Sequence, residues 1–370
     1  NEPLVEITQA KGTSETHPLI SKNDEWASFE TAVPSRYPSN EMKNIKGSYV
    51  RNAYLRGLAI EEKGIANPYK FGLIGSSDSH VAGGSYNEET HFSKIGMVDG
   101  TPKLRGSVPF NKTFGFIMSK ISGSGEAEYT ERASLIKYVD NNYYLNAGDR
   151  VIYFGASGLA GVWAEENTRE SIFSAFRKKE TFATSGPRIK VRFFGGYDLE
   201  NYNLSDENLI RKAYSLSTPM GGDIITDNQI SPTFLIWAVS DPLSNKLQRS
   251  QVVKGWVENG VHNEKVFDVA CSDDLKVDPI THRCPDNGAE VNLNNCTTTS
   301  NRGASELKTF WKDPEFNFDM NAFYYVRVLE NPSCRWSTWD AVRNGEKPRS
   351  DVDSVIQERA WSSPIWIKSS

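Results

Sequence analysis

Apolar residues fall into two patterns along this chain. In the first half, short apolar runs alternate with helical spacing. Residues 1–8, carrying Leu4, Val5 and Ile7, read as a strand, and the run around 70–74 reads as a second, buried one. Between them Tyr49, Ala53, Leu55, Leu58 and Ala59 recur near helical spacing, which predicts a helix over Ser48–Glu62 stopped by Gly64. Asp24-Glu-Trp-Ala-Ser-Phe-Glu predicts a short helix capped by Asn23. Val151-Ile-Tyr-Phe-Gly predicts another strand. Asn167 with Glu170 three residues on forms a capping box for a helix through Ile172, Phe173, Ala175 and Phe176. That helix ends on Arg177-Lys-Lys, which suits the negative end of its dipole. Helix, then strand, then polar residues is α/β grammar. Residues 82–150, rich in Gly, Asn, Ser and Tyr, read as a long insertion.

After about residue 186 the pattern changes. Lys190-Val-Arg-Phe-Phe, Thr233-Phe-Leu-Ile-Trp-Ala-Val, Gln251-Val-Val-Lys-Gly-Trp-Val, Lys265-Val-Phe-Asp-Val-Ala and Phe323-Tyr-Tyr-Val-Arg-Val-Leu are β-like, rich in aromatic and branched residues. The expected organisation is an α/β domain over 1–186, with the insertion 82–150, followed by an antiparallel, sandwich-like β domain over 187–370.

Composition narrows the function. The chain has 370 residues, 38% hydrophobic and 24% charged, with a formal net charge of -5. That is an ordinary globular balance, and two domains are the natural prior for the length. No basic block exists, so nucleic acid is not an expected partner. No apolar run approaches the roughly 20 residues needed to span a bilayer as a helix. The four cysteines are Cys271, Cys284, Cys296 and Cys334. Without a Cys-x-x-Cys pair, two disulfides and a periplasmic or secreted protein are expected, against the alternative of four buried thiols. Four cysteines allow three pairings; Cys284–Cys296 inside the Pro- and Asn-rich loop, with Cys271–Cys334 between strand ends, is the favoured one.

The candidate chemistry centres on Gly75-Ser-Ser-Asp-Ser-His. If the strand continues, its alternation points Asp78 and His80 the same way. A hard oxygen and a borderline nitrogen at a strand's carboxyl end suit a divalent metal, whereas the bland reading is a turn with a satisfied histidine. Glu15 and His17, just past the first strand, are candidate catalytic or ligand residues, or else loop hydrogen bonders. His91 is a candidate catalytic or substrate-contacting group. Glu165, Arg169 and Arg188 are candidate substrate contacts, the arginines for an anion; helix capping and a structural turn are the alternatives. His262 and His282 read as surface residues.

Several stretches together resemble one family. They are Pro3-Leu-Val-Glu-Ile, Lys11-Gly-Thr-Ser-Glu-Thr-His-Pro, Gly75-Ser-Ser-Asp-Ser-His, Gly158-Leu-Ala-Gly-Val-Trp-Ala-Glu-Glu-Asn-Thr-Arg-Glu, Lys179-Glu-Thr-Phe-Ala-Thr-Ser-Gly-Pro-Arg, Pro219-Met-Gly-Gly-Asp and Arg359-Ala-Trp-Ser-Ser-Pro-Ile-Trp. The chain is similar to a bacterial family, domain of unknown function 3604, related to the polymerase-and-histidinol-phosphatase (PHP) metallohydrolases. The resemblance implies a distorted β/α barrel holding divalent metals (Zn, Mn or Fe), with Asp78 and His80 as its last metal motif. The family's first motif, His-x-His, has no counterpart among the five histidines. The chain is therefore expected to be the carboxy-terminal part of a longer protein, with an open edge that an upstream segment would fill. The implied function is metal-dependent hydrolysis of a phosphoester or similar small-molecule ester. The rival is a non-enzymatic carbohydrate- or surface-binding β module on a barrel remnant.

Overall fold

The computed structural model describes residues 2–31, 45–122, 135–146, 151–226 and 230–369. Its centre is an eight-stranded sheet. One path through it runs Asp223–Thr226, Ile365–Ser369, Ala322–Glu330, Arg359–Ser362, Thr181–Thr184 and Leu159–Val162. Against the other edge of Ala322–Glu330 lies Leu247–Glu258, which in turn pairs with Val261–Cys271. That last hairpin closes through Asn259 and Gly260, both at positive φ, the two-residue loop that matches strand twist.

Every residue of Ala322–Glu330 is buried, because both faces of this strand are covered. Alternation sorts them. Tyr324, Val326 and Val328 join the core shared with a four-stranded sheet of Glu306–Lys312, Thr233–Val239, Lys190–Gly196 and Thr218–Pro219. Phe323 and Tyr325 point the other way, to a core with Ile7, Val50, Tyr54, Leu58 and Leu73. These belong to an amino-terminal layer built on Leu4–Gln9, the helix Val50–Glu61 and Gly72–Gly75, in which the two longer strands run parallel. Three layers therefore share one central sheet.

The predicted helix and the strands at 1–8 and 70–74 are present, as are the β-like runs after residue 186. The molecule is mainly β, with several antiparallel sheets. The central sheet takes strands from both sides of the expected 186/187 boundary. Three local expectations are corrected. Residues 25–30 form turns rather than a helix, because the Asp24 carboxylate accepts from the Trp26 amide and is then drawn into the core. Val151–Tyr153 is a single 3-10 turn rather than a strand. Thr168, not Asn167, caps Arg169–Lys178: its hydroxyl accepts from the Ser171 amide, and the Ser171 hydroxyl accepts from the Glu166 amide. Within the expected insertion lie a helix, Lys112–Ser122, and a hairpin of Ile136–Val139 with Asn142–Leu145.

Ser362-Ser363-Pro364 kinks the chain between two partners of the central strand. Proline cannot donate to a ladder, and serine hydroxyls substitute. The Val326 amide donates to Ser362 Oγ at 2.9 Å, and the Leu73 amide donates to Ser363 Oγ at 2.8 Å. The second bond ties the amino-terminal layer to the main sheet and satisfies an edge amide of Gly72–Gly75.

A buried ion cluster does the same on a larger scale. Glu15, Asp24, Arg51 and Arg327 are 2%, 7%, 1% and 0% exposed, so the cluster must satisfy itself without water. Glu15 accepts from Arg51 at 2.6 Å, Arg327 at 3.1 Å, the Tyr325 hydroxyl at 2.7 Å and Trp361 Nε1 at 2.8 Å. Asp24 accepts from Arg51 at 2.9 Å and from both terminal nitrogens of Arg327. Burial raises the Glu15 carboxyl, but the Arg327 and Arg51 charges outweigh it and bring its pKa down to about 2. Burial opposes ionisation of Asp24 too, and the same two arginines hold it well below the carboxylate range.

The disulfides form, but not in the favoured pairing. Cys271 bonds Cys284 and Cys296 bonds Cys334, with Cα separations of 5.6 and 5.5 Å. Cys284 is drawn to the strand end at Cys271, where its amide donates to the buried Asp268 carboxylate and its carbonyl accepts from Arg249. Cys296 is thereby left for Cys334.

Two predictions follow from this packing. Replacing Glu15 by Gln leaves Arg51 and Arg327 short of one charge. It lowers stability in urea unfolding by about 3–5 kcal/mol, the usual cost of breaking a buried charge network. Replacing both Cys296 and Cys334 by Ser lowers stability by about 2–4 kcal/mol. Peptide mapping of the unreduced protein yields 271–284 and 296–334 cross-links and no free thiol.

Candidate functional site

Asp78 and His80 do come together. His80 Nε2 lies 3.5 Å from Asp78 Oδ1, in the loop that follows the parallel strand Gly72–Gly75. Strand alternation is not the cause. The strand ends at Gly75, and Asp78 takes a left-handed conformation (φ 45°), which aspartate tolerates better than most residues. That turn folds the carboxylate back over the imidazole. Both side chains face water, His80 57% and Asp78 36% exposed.

The sequence reading missed their third partner. Lys94 Nζ donates to Asp78 Oδ2 at 2.5 Å, and the Lys94 carbonyl accepts from the His80 amide at 2.8 Å. The Lys94 side chain is nearly buried and lies over the Phe154 ring. Asp99 sets its position by accepting from the amides of Lys94, Ile95 and Gly96 at 2.8, 3.0 and 2.9 Å. The bond from Lys94 holds the Asp78 carboxyl below its ordinary pKa, so Asp78 is ionised at neutral pH. A lysine 16 positions away in an irregular loop carries no sequence signal of this role.

A carboxylate oxygen and an imidazole nitrogen, convergent and solvent-exposed, fit one side of a divalent metal. Among the described residues no third His, Cys, Asp or Glu joins them, and one oxygen of Asp78 is held by an ammonium group. The pair supplies part of a ligand set.

The other candidates lie elsewhere. Glu15 sits in the core ion cluster with its oxygens taken by four donors, a structural position rather than an open catalytic one. His17 is buried, its Nδ1 accepts from the Leu19 amide at 3.1 Å, and burial lowers its pKa. It shapes a turn. His91 is stacked on Trp336 with ring centroids 4.7 Å apart, and burial, with Arg105 and Arg335 nearby, pushes its pKa down to about 3. It is a neutral packing residue. Glu165 and Arg169 stand exposed at the start of Arg169–Lys178, away from the residues lining the cleft described next.

That cleft, about 820 Å³, was not foreseen. Its lining includes residues of the loop 83–92, which continues from His80, together with Ser244, Thr297 and the Cys296–Cys334 bridge. Arg188 lines it, as do Tyr86, Phe92 and Trp339. The loop is held by the Ser157 amide donating to the Ser85 carbonyl, and by Gly186 (φ 148°), where any Cβ would meet the Tyr86 carbonyl oxygen at 2.4 Å. Glu358, at the cleft, and Glu88 and Glu330 are buried carboxyls. Glu88 accepts from the Ala156 and Trp336 amides. Burial, with nearby Glu30, raises its pKa to about 7; burial, with nearby Asp241, raises Glu330 to about 8; burial, with Glu88, raises Glu358 well above the carboxylate range.

Over residues 1–369 the chain matches the family described as protein of unknown function DUF3604, and it belongs to that family. No curated protein and no solved structure matches it. Among the described residues no helix is long and apolar enough to cross a membrane.

The buried carboxyls set an expected pH dependence. Their folded pKa values lie above the unfolded ones, so their stabilisation is complete below about pH 4.5 and is lost as pH rises towards 8. These carboxyls therefore pull the melting temperature down between pH 5 and 8, against an opposing rise below about pH 6.5 from the buried, neutral His91. Glu330→Gln flattens that fall in a pH series of thermal melts, whatever its effect on stability at pH 5; an unchanged slope contradicts the assignment.

Proposed function

We propose that the protein is a hydrolase of PHP type, acting on a phosphoester or similar ester, in which Asp78 and His80 contribute to a divalent-metal site. The observation that supports this is the convergence of an ionised carboxylate and an exposed imidazole within 3.5 Å at the end of a parallel strand. A metal held there supplies an activated water and polarises an ester oxygen. The chain's own residues do the preparatory work. Lys94 keeps Asp78 ionised and fixes one of its oxygens. The left-handed turn presents the other oxygen beside His80 Nε2. Further ligands would come from outside the described residues of this chain, as the PHP resemblance implies. With two disulfides in the chain, an oxidising compartment, periplasmic or extracellular, belongs to the same proposal.

A second reading is a non-enzymatic binding module, favoured by the large open cleft beside a rigid β core.

Titration of the purified chain with Mn²⁺ or Zn²⁺ by calorimetry tests the first reading. One site is expected, weakened at least tenfold by His80→Ala and by Asp78→Asn. Binding untouched by both substitutions refutes the role of this pair.

A further inference from the structure

The binding-module reading rests on the cleft, and the chemistry of its walls identifies what it takes. Tyr86 and Phe92 line one wall while 40% and 59% exposed, leaving aromatic surface in water on a loop anchored to the core. The same cleft is lined by hydroxyl-bearing residues, Ser244, Thr297 and Ser333, the last two next to the half-cystines of the Cys296–Cys334 bridge. Aromatic surface and hydroxyls in one cleft suit a sugar ring, which has an apolar C–H face and a polar rim.

Charge adds the second half. Among the described residues lining the cleft, Arg188 is the one cation. It is exposed, and its guanidinium makes no hydrogen bond or ion pair among the described residues. The carboxylates beside it are engaged. Asp241 accepts from the backbone amides of Arg188 and Leu243, Glu89 is paired with Arg343, and Glu88 accepts from two amides. Glu358 accepts from the Ser185 hydroxyl, and burial raises its pKa well above the carboxylate range. A planar, unengaged guanidinium is fitted to a carboxylate or sulfate. One such cation among four acidic residues disfavours a nucleotide, whose several phosphate charges need several donors, and suits a polymer with isolated acid groups.

We infer that the cleft binds an anionic oligosaccharide, one acid group held by Arg188 and the sugar rings lying against Tyr86 and Phe92. The site uses neither Asp78 nor His80, so it operates with metals chelated.

Calorimetry in EDTA tests this with four probes: an oligogalacturonate hexamer, a sulfated carrageenan hexamer, neutral cellohexaose and ATP. One of the two acidic oligosaccharides is expected to bind at least tenfold more tightly than cellohexaose, and which one does so identifies carboxylate or sulfate as the acid group. Arg188→Gln, at an exposed position, is expected to remove at least tenfold of that affinity, and Tyr86→Ala to weaken it further. The proposal is overturned if no oligosaccharide binds, if cellohexaose binds as well as the acidic ones, if ATP binds more tightly than either, or if Arg188→Gln leaves the affinity unchanged. Because EDTA is present throughout, none of these failures bears on the metal proposal.

Discussion

The fold depends on one buried ionic contact between layers. Glu15 and Asp24 come from the amino-terminal layer, Arg51 from the helix below them, and Arg327 from the central sheet. None reaches water, so each charge depends on the others. Hydrophobic contact between the layers supplies most of the burial, through Tyr54, Phe323 and Trp366, but it is non-directional. The ion cluster fixes the register. A guanidinium that must meet Asp24 through both terminal nitrogens and also reach Glu15 admits few relative positions of the two layers. Buried charges are weak stabilisers against apolar replacements, and their strength lies in the cost of breaking them.

With the layers registered, the candidate sites follow. The parallel pairing of Leu4–Gln9 with Gly72–Gly75 brings the chain to Ser76, whose hydroxyl donates to Glu6. The loop beyond carries Asp78 and His80, then turns into the cleft wall at Gly83, where the Ser79 hydroxyl bonds the Gly83 carbonyl. Gly186 meets that wall at the Tyr86 carbonyl and is followed by the cleft residue Arg188. The metal candidate and part of the cleft lining thus lie on one loop, entered from the strand Gly72–Gly75.

Legibility in the sequence followed the range of the physics. The helix Val50–Glu61 and the long strands were readable because periodic burial is a local pattern. The convergence of Asp78 with His80 was readable as an outcome but not as a mechanism: a left-handed Asp78 achieves it after the strand has ended. Glu15 looked like a site residue because it follows a strand, yet its partners Arg327 and Trp361 lie over 300 positions away. No local window contains them. The same limit applied to the cysteines. The favoured pairing kept Cys284 and Cys296 together inside the loop, but a buried Asp268 accepting from the Cys284 amide recruits Cys284 to its own strand.

The relation between Lys94 and Asp78 bears on what the loop can do. An ammonium group 2.5 Å from a carboxylate both stabilises its ionised form and competes for it. A cation arriving at Asp78 has only the oxygen that faces His80, and it must tolerate the lysine's charge across the carboxylate. A compact divalent ion with further anionic ligands meets that condition, since those ligands offset the repulsion. A lone monovalent cation does not. The Lys94 side chain is nearly buried, and the Asp99 carboxylate fixes the backbone that carries it through the amides at 94, 95 and 96. If the pair takes part in a metal site as proposed, an ion brought by a fuller ligand set meets the exposed oxygen and His80 while the oxygen held by Lys94 stays engaged.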